Sequence, residues 1–315
     1  MGLPLFLGKK ETSSMRKILR YLIIILIITL AVLIWKDAPQ SEISMTIALL
    51  IIATSITLLH KTPDLELQSA VKKRDIPLDD IRAIVNSGAS LKSIDKDGRT
   101  PLTLAASRSP SIEIVSFLID SGSDLEARDN DGNTPLMTAA MLNPQASIIN
   151  VLVKSGANVN AKNDKGNTPL MMAAMFNPNS EIVRMLIDNG ADVNARNLDG
   201  LTALHRASKP DYVAMLISSG ANINAGDIMG HTPLMSAAFE DDPEVITAML
   251  NSGANVNAQD REGKTALMYA AEKNLAGNVE ILLSYGADTS MKNIDMKQAI
   301  DFAGSEGVKR LLEGK

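Results

Sequence analysis

A motif spaced by about 33 residues constrains this chain more than any other feature. A Gly-x-Thr-Pro/Ala-Leu element starts at Gly98, Gly132, Gly166, Gly200, Gly230 and Gly263, in steps of 34, 34, 34, 30 and 33 residues. A second glycine keeps the same beat at Gly88, Gly122, Gly156, Gly190, Gly220, Gly253 and Gly286. Two markers locked in phase over this distance predict a solenoid of stacked supersecondary units.

The copy from Asp164 to Asn197 shows what each unit should be. Thr168 is placed to cap a helix, with Pro169 at the first helical position, where a missing N–H costs nothing. Leu170, Met171, Ala173 and Ala174 give a short apolar helix, and the alanine pair keeps it slim enough for neighbours to approach. Asn177-Pro178 stops it. A second helix follows, with Ile182, Val183, Leu186 and Ile187 at helical spacing. Gly190 supplies a left-handed end. Ala191 to Ala195 is expected to run extended to a turn at Asn197–Gly200. The predicted unit is helix, turn, helix and a projecting hairpin finger.

This pattern resembles the ankyrin repeat, on Asp164-Lys165-Gly166-Asn167-Thr168-Pro169-Leu170-Met171-Met172-Ala173-Ala174 closed by Gly190-Ala191-Asp192-Val193-Asn194-Ala195. The resemblance covers residues 64–315 and implies an all-α ankyrin solenoid of about eight units. The first (64–95) is degenerate, without Thr-Pro-Leu. The last (294–315) is short and charged, with Met296 in place of the glycine, as a capping repeat would be. The inter-helix turns Asn143-Pro144 and Asn177-Pro178 resemble a bacterial branch of the family. The repeat of Gly200 is four residues shorter than its predecessors around Ser208-Lys209-Pro210-Asp211. That should shorten its inter-helix turn and notch the stack.

Residues 1–60 differ in kind. A basic tail (1–20) precedes two apolar runs within 21–60, read as transmembrane helices at about 18–35 and 43–59. Residues 18–35 hold 13 Ile, Leu or Val, so insertion should gain roughly 4–8 kcal/mol. A cleaved signal peptide is the competing reading. The basic start fits it, but no A-x-A-like site follows Trp35, and a second apolar run does. Lys9, Lys10, Arg16, Lys17 and Arg20 precede the first run, and Lys61, Lys72, Lys73 and Arg74 follow the second. Only Lys36 lies between. The positive-inside rule then places both termini in the cytoplasm of a multi-pass inner-membrane protein. Ala48, Ala53, Thr54, Ser55 and Thr57 in the second run suit helix packing, within the hairpin or in a homo-oligomer.

Residues 1–61 hold seven basic and three acidic residues, a balance of +4; the whole chain is at −5, so residues 62–315 carry −9. An acidic solenoid lacks the basic footprint that nucleic acid requires. The chain has no cysteine, which removes disulfide and thiolate chemistry.

No catalytic constellation emerges. Arg261-Glu262-Gly263-Lys264-Thr265 mimics the end of a phosphate loop, but Ala258 stands where its first glycine belongs. Asp129-Asn130-Asp131-Gly132 resembles part of a calcium loop, yet its first and twelfth positions are Ala127 and Thr138. Of the three histidines, His205 takes the family's structural Thr-x-Leu-His slot, His231 falls on a finger and His60 beside the second run. Met137, Met171, Met235 and Met268 take that same buried slot in other units. Glu240-Asp241-Asp242-Pro243-Glu244 reads as a helix start, with Asp242 as cap. No enzymatic activity, cofactor or metal is expected.

The resemblance implies that ligands meet the fingertips and the exposed positions of the first helices. Met141, Leu142, Met172, Met175, Phe176 and Phe239 should line one apolar strip. Leu198, Leu201, Ile228 and Met229 should sit on two adjacent fingers, and Asn133 on a polar one. Exposed apolar patches mark interaction sites, and methionine suits adaptable ones. The expected function is a membrane-anchored scaffold that binds a protein partner at the cytoplasmic face of a bacterial inner membrane. The alternative is a secreted effector or toxin-related protein whose hairpin enters a foreign membrane.

Overall fold

Helix pairs recur through the computed structural model, which describes residues 29, 63–73, 75–108 and 111–314. Both apolar runs and the basic tail otherwise lie outside the described residues, and no helix among the described residues is long and apolar enough to cross a membrane. The described chain divides into two units, residues 63–67 with 83–90 and residues 68–82 with 91–314. In the first, the Ser90 amide donates to Asp64 Oδ1 (2.6 Å). The helices α1 (Pro63–Ala70) and α2 (Leu78–Asn86) run through parts of both.

The second unit is the solenoid. Its first helices are α3 (Pro101–Arg108), α5 (Pro135–Leu142), α7 (Pro169–Phe176), a 3-10 turn (Leu204–Arg206), α10 (Pro233–Phe239), α12 (Ala266–Glu272) and α14 (Ala299–Phe302). Each packs on the next in that order. The second helices are α4 (Ile112–Asp120), α6 (Ala146–Lys154), α8 (Ser180–Asp188), α9 (Pro210–Ser218), α11 (Pro243–Asn251), α13 (Ala276–Ser284) and α15 (Glu306–Leu312), stacked as a parallel layer.

The first helices start as the sequence predicts. The hydroxyls of Thr134, Thr168, Thr232 and Thr265 accept from the backbone N–H three residues on, satisfying one of the four orphan donors. Met137, Met171, Met235 and Met268 are all buried. His205, in the same slot, accepts through Nδ1 from the Thr202 amide (3.1 Å) and donates through Nε2 to the His231 carbonyl (3.0 Å). Burial pushes its pKa below the ordinary 6.5. α8 ends in a Schellman motif: Ala191 N–H donates to the Leu186 carbonyl and Gly190 N–H to that of Ile187, with Gly190 at φ +86°.

Three expectations are corrected. Ala191–Ala195 does not run extended, because Ala195 N–H donates to the Asp192 carbonyl (3.2 Å) and Asn194 N–H to Asp192 Oδ1 (2.9 Å), closing a turn. The deletion in the fifth repeat falls on its first helix, which shrinks to the 3-10 turn, and not on the connecting turn alone. Met172 is buried at 8% exposure, since α7 is flanked by α5 on one side and the 3-10 turn on the other.

The fingers repeat one device. An Asp or Asn at the root accepts, through Oδ1, the amides two and four residues on. Asp95, Asp129, Asn163, Asn197, Asp227, Asp260 and Asn293 all do this. Successive fingers join through a single backbone bond, as from Leu198 N–H to the Lys165 carbonyl (3.1 Å) and from Ile228 N–H to that of Asp199 (3.0 Å). The glycine between turns faces this seam. A Cβ on Gly166, at φ +77°, would lie 2.8 Å from the Leu198 nitrogen. In the last finger Met296 holds the same left-handed conformation, at φ +64°.

A second ladder closes the helix ends. The carbonyl of the second alanine in each Ala-Ala pair is an orphan at its helix C-terminus. Asn143 Nδ2 donates to Ala106 (2.8 Å) and Asn177 Nδ2 to Ala140 (2.8 Å). In the shortened repeat, the amide and hydroxyl of Ser208 donate to Ala174 instead. Asn278 serves Ala238 from inside α13. The Asn-Pro turns are therefore inter-repeat fastenings as well as helix stops.

Candidate functional site

Large apolar side chains crowd one stretch of the surface. Among the described residues, Leu142, Met175, Phe176, Leu198, Ile228, Met229 and Phe239 are each 40 to 73% exposed. Met141 and Leu201 are partly exposed, and Met172 drops out because it is buried. Asn133, expected at the surface of its finger, is buried too. Its Oδ1 accepts from Asn163 Nδ2 (2.8 Å) and its Nδ2 donates to Asp129 Oδ2 (3.2 Å).

The exposed positions follow from local structure. Leu142, Met175, Phe176 and Phe239 lie at the C-terminal ends of α5, α7 and α10, one or two residues beyond the buried alanine pairs. Leu198 and Ile228 follow the finger-root residues Asn197 and Asp227, whose side chains fold back on the backbone and turn the tips outward. Leu198 and Ile228 are on consecutive fingers, joined near their tips by the seam bond from Ile228 N–H to the Asp199 carbonyl.

The notch exists. Because the fifth repeat spends only three residues in its 3-10 turn, a cavity of about 820 Å³ opens between the ends of α7 and α10. Met175, Leu201 and Phe239 line it, which places helix and finger members of the expected strip around one space. Glu240, Asp241 and Asp242 line it as well. Asp242 caps α11 as expected, accepting from Val245 N–H (3.3 Å). Burial nevertheless pushes its carboxyl above the usual range, against that hydrogen bond and helped by the charges of Glu244 and Asp241.

His231 and Tyr269, which also line the cavity, belong to a polar cluster that the sequence did not reveal. His231 Nδ1 lies 3.2 Å from Asp227 Oδ2, and the Tyr269 hydroxyl lies 2.9 Å from His231 Nε2. That hydroxyl donates to Asp260 Oδ2 (2.6 Å), whose side chain is fully buried. Burial, with the Asp260 hydrogen bond and charge, pushes the Tyr269 phenol well above its ordinary value. The cluster joins two fingers to the first helix of the later repeat. Phe239 rests on its far edge: its ring stands edge-on to Tyr269 at 6.2 Å, with the Lys273 ammonium 3.8 Å over its centre. The available signal was Tyr269 itself, an aromatic at the helix position that Thr138 and Met172 hold elsewhere. Among the described residues no group of three His, Cys, Asp or Glu side chains could hold a metal ion.

No curated protein matches the chain. Among solved structures, the crystal structure of the human ASB11 ankyrin repeat domain superimposes with a TM-score of 0.62. The match covers 68% of this chain and 97% of that one at 24% sequence identity, a likeness of fold. The family model for ankyrin repeats, written as three copies, matches residues 67–163, 138–227 and 209–293. With that match spanning most of its length, the chain belongs to the ankyrin repeat family.

Proposed function

We propose that the chain is a membrane-anchored scaffold that holds a protein partner at the cytoplasmic face of a bacterial inner membrane. The apolar strip supports the partner-binding part. Seven of the twelve exposed large hydrophobic side chains among the described residues fall between Leu142 and Phe239. Such a patch on a water-facing surface marks an interaction site. The anchoring part rests on the two apolar runs and on the basic residues that flank them and spare their connection.

Two experiments address the two parts. The full-length protein is captured from detergent-solubilised membranes, alongside a Met175→Glu/Phe176→Lys variant. Loss of hot-spot anchors of this kind costs about 2 kcal/mol or more, so the variant should lose the native partner. Its unfolding midpoint should barely move, because surface changes usually stay within about 0.5 kcal/mol. Lys165→Glu, on an exposed fingertip, is the control expected to bind normally. Equal recovery of every partner by a folded double variant would sink the strip. For orientation, a cysteine at Gln40 should react with an impermeant thiol reagent on spheroplasts and one at Lys315 should not. The reverse labelling would sink the cytoplasmic placement.

A further inference from the structure

We propose that the notch beside the shortened fifth repeat recognises a cationic side chain of the partner, an arginine or lysine set close to an apolar residue. The proposal rests on the strip being the partner-binding surface and specifies what that partner must carry.

The cavity is a product of the deletion. In the flanking repeats the first helix runs on to Phe176 and to Phe239. In the fifth repeat the helical turn ends at Arg206, and Ala207 is already extended. The space left between the two helix ends is about 820 Å³, within the range of sites that enclose small groups. It suits a few side chains of an inserted segment.

Its lining has two chemistries. Met175, Leu201 and Phe239 give the apolar part. Phe239 is held in place before any ligand arrives by Lys273 above its ring and Tyr269 at its edge, so little ordering is left for binding to impose. The corner between α10 and α11 gives the other part, three consecutive carboxylates at Glu240, Asp241 and Asp242. Only Asp242 has a structural task there, as the cap of α11. Glu240 and Asp241 form no ion pair with any described residue; Arg206 lines the cavity too and is also without one, so the carboxylates still outnumber it.

Like charges crowded at the edge of an apolar cavity repel each other and lose hydration as a ligand covers them. An incoming ammonium or guanidinium offsets both effects. An acidic or phosphate-bearing ligand would add to the repulsion, and the surrounding solenoid is already acidic. Charge complementarity of this kind governs which partner is accepted more than how tightly an apolar anchor holds it. An apolar side chain against Phe239 and Met175, with a cation reaching Glu240 and Asp241, satisfies both parts of the lining.

The test is selection of a phage-displayed random heptapeptide library on the full-length protein in lipid nanodiscs. Enriched sequences should share an arginine or lysine at a fixed distance from a leucine, isoleucine, methionine or phenylalanine. A synthetic peptide of that sequence should bind the Glu240→Lys/Asp241→Lys variant at least about tenfold more weakly. Replacing its basic residue by glutamate should restore binding to the variant and weaken binding to the parent. Both changed positions are exposed and neither caps a helix N-terminus. Enrichment without a basic residue, indifference to the charge variant, or failure to enrich any sequence overturns the proposal. Apolar peptides lost on Met175→Glu but indifferent to Glu240→Lys/Asp241→Lys would leave the strip standing and remove the cation. Peptides indifferent to both would remove the strip too.

Discussion

Removing the Asn177 amide should damage the solenoid far more than removing the Ser208 hydroxyl, its counterpart in the inter-repeat ladder of the shortened repeat. Asn177 is almost wholly buried. Its Nδ2 donates to the Ala140 carbonyl (2.8 Å) and to the Asn143 carbonyl (2.9 Å), and its Oδ1 accepts from Asn179 N–H (3.0 Å). Asn177→Ala leaves two carbonyls without that donor, at about 1–3 kcal/mol for each buried group left unsatisfied. A loss of about 2–6 kcal/mol follows. Asn143 Nδ2 donates to the Ala106 carbonyl in the same way (2.8 Å), so Asn143→Ala should also destabilise, by at least about 1–3 kcal/mol. Ser208→Ala should cost about 1 kcal/mol or less, because the Ser208 amide still donates to Ala174 (3.2 Å). The assay is urea unfolding of the full-length protein in micelles, followed by far-ultraviolet circular dichroism. The three variants share one parent, so the ranking is robust to the micelle's own contribution. A Ser208→Ala loss as large as that of Asn177→Ala, or a neutral Asn177→Ala, would refute the ladder as a source of stability.

Two further outcomes follow from other parts of the fold. Gly166→Ala should cost more than the roughly 1–2 kcal/mol of a left-handed L-residue, because its Cβ would also press on the Leu198 amide at 2.8 Å; Met296→Gly should be neutral or slightly stabilising, and opposite signs in a melting experiment would contradict the seam. His205 has a folded pKa below its ordinary 6.5. Its contribution is therefore full above about pH 6.5 and lost as pH falls through the lowered folded value. His205→Met, the residue that the same slot holds in four other repeats, should flatten the acid side of the melting temperature profile, and an unchanged profile would place the titration elsewhere.

Much of the repeat was legible because its signals are local. Thr168 followed by Pro169 starts a helix by capping chemistry, and Gly190 ends one by its backbone, whatever surrounds them. The buried methionine slot was legible from the histidine it replaces. What failed depends on neighbours. A four-residue deletion around Ser208 can shorten a turn or a helix. The helix yields because Pro210 must open α9 and Tyr212 and Val213 must keep their buried phase, while a residue before proline resists helical backbone. Met172 resembles a surface position on its own helix and is covered only by the packing of helices on either side. Asn133 reads as a fingertip, yet its partner Asn163 lies on the next finger. The His231, Asp260 and Tyr269 cluster joins residues up to 38 positions apart, a distance at which no motif spacing operates.

A stack of equivalent units has no intrinsic end: each unit presents to the next the face it received from the one before, and such head-to-tail interfaces build open filaments. Every finger with a glycine at the seam leaves room for a successor. Met296 does not, since it carries a Cβ and an exposed side chain into the place where another finger's amide would sit. A strain of about 1–2 kcal/mol in one residue thus accompanies a seam position that would resist a further finger. A repeat inserted between two glycine-bearing fingers would meet no such obstacle, so the seam permits growth within the array and opposes it at this finger.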